Sequence, residues 1–158
     1  MNAPGRPSNV RRYAIVAAFM VAILASAVVI TTWGFLALFS GADPITKDVP
    51  LFVGPLMVGF GMIALLGILL SIGRELLLGR PKFPWLLAVF AGIGPFLVTG
   101  IAGFLSGLPP TDTFSNSFVL AIVPIGWLAA LLYWAVTVRQ IFTDRPRPRW
   151  RWENEDDE

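Results

Sequence analysis

The sequence predicts an all-α integral membrane protein built from four transmembrane helices, and three observations carry that expectation. First, 56% of its 158 residues are hydrophobic and only 14% charged, where soluble domains carry about a quarter charged residues; the mean hydropathy is +0.72. Second, the apolar residues gather into four stretches without a charge, at Tyr13–Phe39, Leu51–Gly73, Pro84–Ser106 and Ser117–Val138. Third, the basic residues fall almost entirely on alternate connections between those stretches.

Each stretch exceeds twenty residues, enough at ~1.5 Å per residue to cross a hydrocarbon core of roughly 30 Å. Within lipid a segment must satisfy its own backbone polar groups, so each stretch is expected to be a helix. The first begins after Arg6, Arg11 and Arg12 and has a signal-peptide look, with "ASA" at Ala25–Ala27. The chain then stays apolar through Phe39, so an uncut anchor is expected. The second follows a loop holding Asp43, Lys47 and Asp48, and the third follows a loop holding Arg74, Arg80 and Lys82. Beyond the fourth come Arg139, Arg145, Arg147, Arg149 and Arg151. Eleven of the twelve Lys and Arg residues thus belong to one set of connections, and Lys47 alone to the other. The positive-inside rule then predicts both termini in the cytoplasm. Ten arginines against two lysines fit a GC-rich bacterial genome, so a bacterial plasma membrane is the expected location.

Three regions follow: a basic N-terminus at 1–12, a four-helix membrane domain at 13–138, and a cytoplasmic tail at 139–158. Spans one and three end alike, in "FSGADP" at Phe39–Pro44 and "LSGLPP" at Leu105–Pro110. Each runs through a short loop into a span with an early proline, Pro55 or Pro124, which suggests two tandem helical hairpins. The outer loops, with Asp43, Asp48 and Asp112, are expected to be solvated; three carboxylates on two loops do not define a metal site.

The spans hold no Asp, Glu, Lys, Arg, His, Asn or Gln. An ionisable group at depth is the default marker of an ion pathway or proton relay, so its absence argues against a proton-coupled antiporter and against a voltage sensor. The chain has neither cysteine nor histidine, which removes disulfide and thiol chemistry and histidine acid–base catalysis. No P-loop pattern is present. No catalytic, cofactor-binding or metal-binding residue is therefore expected, and the small net charge of +2 gives no reason to expect a nucleic-acid partner.

The spans do contain small residues and proline. Ala14, Ala18, Ala22 and Ser26 form a ridge at four-residue spacing, and Gly103–Gly107 is a GxxxG motif with Gly100 nearby. Such ridges let helices approach closely, either within one chain or against a partner. Pro95 and Pro124 should each free a carbonyl four residues back, on Ala91 and Leu120, and kink their helices. Trp127 lies inside span four and needs an acceptor for its indole N–H. Trp33, Phe35 and Phe39 are expected at the outer interface, and Phe83, Trp85, Tyr133 and Trp134 at the inner one.

The tail reads "RPRPRWRWENEDDE". Its prolines exclude a regular helix, and Arg145, Arg147, Arg149, Trp150, Arg151 and Trp152 suit the surface of an anionic bilayer, pinning the end of span four. The acidic end, Glu153 to Glu158, should be repelled by that surface and project as a disordered segment. The expected function is a non-catalytic accessory or assembly subunit that works through helix packing and its tail, with self-association or another membrane protein as partner. The competing expectation is an oligomeric channel or uncoupled transporter built around the proline-kinked spans three and four.

Overall fold

The structure, a computed structural model, describes residues 6–45 and 49–142. Among these residues it is all-helical, with the order α1 (Arg6–Ser40), α2 (Val53–Leu77), α3 (Trp85–Leu105), α4 (Pro110–Thr113), α5 (Ser117–Leu120) and α6 (Ile122–Phe142). Lys47, Asp48 and the tail from Asp144 onward, including Arg145, Arg147, Arg149, Trp150, Arg151 and Trp152, lie outside the described residues.

Four of the helices, α1, α2, α3 and α6, are long and apolar enough to cross a membrane. Their outer surface shows why a membrane is the fitting solvent. Ile23, Ile30, Leu38, Ile63, Leu86 and Leu128 are each more than 60% exposed, and many other large apolar side chains accompany them. A protein in water rarely shows apolar patches beyond a few hundred Å², whereas here the apolar surface belts the whole bundle. The chain is a multi-pass membrane protein.

Glycine sets where three of the helices stop. Gly41, Gly79 and Gly107 all have positive φ and lie just past α1, α2 and α3. That left-handed residue closes a helix end at no Cβ cost. In the two similar segments the match extends to side chains: Ser40 donates to the Leu36 carbonyl at 2.6 Å and Ser106 to that of Ala102 at 2.8 Å. The likeness ends there. The second loop folds into α4 and α5, while residues 41–45 carry no helix. The most extensive helix contact is α2 with α3, across the boundary between the two suggested hairpins.

Span four departs from its expected single helix over Ser117–Val138. Pro124 has no N–H for the Leu120 carbonyl, and its ring crowds that turn. The chain accordingly ends α5 at Leu120 and begins α6 at Ile122, with Ala121 between them still at helical dihedrals, φ −61° and ψ −20°. Pro124 thus sits in the first turn of α6, where a missing donor costs little. By contrast, α3 runs unbroken through Pro95.

The core is a column of Leu65, Leu69, Ile72, Leu76, Ile122, Ala130 and Tyr133, all at 1% exposure or less.

Candidate functional site

The small residues are used chiefly inside the bundle. Ala14, Ala18 and Ala22 are buried and Ser26 half-buried, so the α1 ridge faces the other helices. Gly100 and Gly103 face the loop that follows α3. The Phe114 ring occupies the space a Gly100 side chain would need, and a Cβ on Gly103 would lie 2.8 Å from Thr113 Cγ2 and 3.1 Å from Met57 Cε. Gly107, paired by spacing with Gly103, lies past the end of α3. It is exposed beyond the helix end, with φ +84°, because its role is to terminate the helix.

The tightest approach joins α3 to α6. A Cβ at Gly126 would strike the Ala91 carbonyl oxygen and lie 2.9 Å from Gly92 Cα. On Gly92, a Cβ would run into the Trp127 ring and lie 2.8 Å from the Val123 carbonyl. Ala91 is the residue whose carbonyl Pro95 leaves without an intrahelical donor. That oxygen is therefore covered by the backbone of α6 instead of lining a cavity. Further along the buried face of α3, Gly61 of α2 meets the Thr99 hydroxyl and lies so that a Cβ would be 2.9 Å from the Pro95 carbonyl. Trp127 remains exposed on its outer side and donates to the Val89 carbonyl at 3.4 Å, not to the carbonyl that Pro95 frees.

Two aromatic residues expected at the interfaces turn inward. Tyr133 is fully buried; its hydroxyl donates to the Ala14 carbonyl at 3.1 Å and occupies the space beside Gly73. It therefore joins α1, α2 and α6 at one end of the bundle. At the other end Trp33 donates to the Phe118 carbonyl at 2.6 Å and meets the Phe118 ring edge-on. Asn116 connects the two loops there: its amide donates to the Pro44 carbonyl at 2.7 Å, and its oxygen accepts from the Phe118 N–H at 3.0 Å. Asp112, expected in a solvated loop, is buried in α4, because the short helix folds back onto α3. Asp43 is exposed. Among the described residues no three acidic side chains come together as a metal site.

The outer halves of α1 and α2 face each other beside the Trp33–Phe118 bond. Between them opens a cavity of about 720 Å³, bounded by Ser26, Val29, Ile30 and Trp33 on α1 and by Gly54, Pro55, Val58, Gly59 and Met62 on α2. Pro44, Ile45, Val49, Pro50 and Leu51 close its end. Its two polar side chains are already bonded: Ser26 donates to the Ala22 carbonyl and Trp33 to that of Phe118. A Cβ placed on Gly59 would meet nothing within 4 Å. The groove is apolar and lies between two spans.

The end that holds Tyr133 also collects charge. Arg11, Arg12, Arg74, Arg80, Lys82 and Arg139 are all exposed there. Glu75 is bound by Arg80 at 2.7 Å. The Asn116 end shows Asp43 and Asp112 and, among the described residues, no Lys or Arg.

Sequence reasoning did not single out Gly92, Gly126, Thr99 or Asn116 as joints. Asn116 carried a usable signal, since an Asn immediately ahead of an apolar helical run is a helix-start pattern. The glycines carried none, because their role depends on which helix lies opposite.

The chain belongs to the family described as a family of unknown function (DUF6121), whose family model matches residues 8–158. No curated protein and no solved structure matches it.

Proposed function

We propose that this DUF6121 member is a non-catalytic accessory or assembly subunit of a bacterial plasma membrane, with both termini in the cytoplasm, that binds an apolar transmembrane helix of another protein in the groove between α1 and α2. The observation that carries this reading is the groove itself. It is an apolar cleft of about 720 Å³ left open between two spans, while Ala14, Ala18, Ala22, Gly61, Gly92 and Gly126 serve the bundle's own packing. Small residues along its wall, Ser26, Gly54 and Gly59, suit the close backbone approach that joins helices in lipid. With the Ser26 and Trp33 side chains bonded within the bundle, the groove's mostly apolar lining favours an apolar occupant over a polar solute.

The pore reading has less support. The bundle's centre is filled, and the carbonyl freed by Pro95 is covered by Gly126. The test is purification in mild detergent from native membranes, followed by native mass spectrometry, for the full chain and for Gly59→Phe. The expected result is a distinct membrane protein bound at fixed stoichiometry to the full chain and absent from Gly59→Phe at unchanged thermal stability. A homo-oligomer, a lone chain, or lipid alone released from the groove would overturn it.

A further inference from the structure

We propose that the basic end of the bundle is a binding surface for the headgroups of anionic phospholipids, formed by Arg11 and Arg12 of α1, Arg74 and Lys82 beside the α2–α3 turn, and Arg139 of α6. Folding brings these five residues, distant in sequence, to one end. Tyr133 on Ala14 and Gly73 unites the start of α1, the end of α2 and the inner part of α6. Phe83 meets Trp134 edge-on at 5.2 Å, which holds the α2–α3 turn against α6.

Charge complementarity selects the partner. All five side chains are exposed. Among the described residues the one ion pair at this end, Arg80–Glu75, uses the one acid there and leaves the five without a carboxylate. Position selects the headgroup. Helices α2, α3 and α6 have 25, 21 and 21 residues, so at ~1.5 Å per residue they cover a hydrocarbon core of roughly 30 Å and end in the headgroup layer. Trp85, 75% exposed beside Phe83, is the residue type that settles at that layer. The opposite end has Asp43 exposed and, among the described residues, no Lys or Arg.

The experiment is native mass spectrometry of the purified full chain titrated with phosphatidylglycerol or phosphatidylcholine in the same detergent. Phosphatidylglycerol should bind at least tenfold more tightly, and more weakly as salt rises. Each neutralised cation should weaken it by about fivefold. The combined variant Arg74→Gln, Lys82→Gln, Arg139→Gln should therefore lose the preference. The charge-keeping Arg74→Lys, Arg139→Lys and the opposite-end Asp43→Asn should retain it. A chain ending at Phe142 should also retain it, since the surface does not include the tail. Equal affinity for the two lipids, an unchanged preference in the triple glutamine variant, or loss of preference on ending the chain at Phe142 would each overturn the proposal.

Discussion

At the scale of single residues, glycines of identical composition have different duties. Gly126 abuts the Ala91 carbonyl, whereas Gly59 borders open space. Gly126→Ala should force α3 and α6 apart and destabilise the bundle by about 1–3 kcal/mol, the usual penalty of overpacking. Gly59→Ala should leave stability nearly unchanged. Thermal unfolding of both variants in one detergent checks the contrast, and equal midpoints would refute the α3–α6 crossing. Tyr133 offers a second comparison. Its hydroxyl bonds the Ala14 carbonyl inside the bundle, and side-chain hydrogen bonds in membrane bundles average about 0.6 kcal/mol, rarely above about 1.7. Tyr133→Phe should cost about that average, a smaller shift than that of Gly126→Ala.

Among the elements, the loop end depends on one side chain. Asn116 both starts α5 and binds the Pro44 carbonyl of the α1–α2 connection. Asn116→Ala removes a helix cap, worth about 0.5–2 kcal/mol, and severs that link between loops. Faster hydrogen exchange at the Phe118 amide is expected, while the amides of Leu65 and Leu69 keep their protection. Uniform loss of protection would instead mean that the loops and the core open together. The two prolines also separate at this scale. Pro124 coincides with a helix start and Pro95 with a helix interior covered by a neighbour, although both read alike as kink residues in the chain. Which outcome applies is decided by the surroundings: α6 supplies Gly126 over the carbonyl of Ala91, and span four can stop and restart at Ala121.

For the whole molecule, the distribution of charge makes orientation testable. The chain contains no cysteine, so single cysteines report position without background. With Ala42→Cys, a membrane-impermeant maleimide should label intact cells. Pro81→Cys, at the basic end, should be labelled only after permeabilisation. The reverse pattern would place the basic end outside and contradict the orientation proposed here.

The number of long apolar helices, their approximate limits and the separation of charge were legible in the sequence because each depends on local chemistry: the length of an uncharged run, the glycine after a helix, the arginine beside it. The helix ends moved by a few residues, and the Pro124 break was marked by its proline. The tertiary structure alone decided that Tyr133 and Asp112 face inward, that Gly107 ends a helix while Gly103 packs, and that α1 and α2 part to leave a groove. A membrane-spanning helix is apolar on every side, so its pattern carries little sign of which face meets protein and which meets lipid. That choice is made by the opposing helix, through backbone approaches such as Gly92 on Gly126 that no single segment contains.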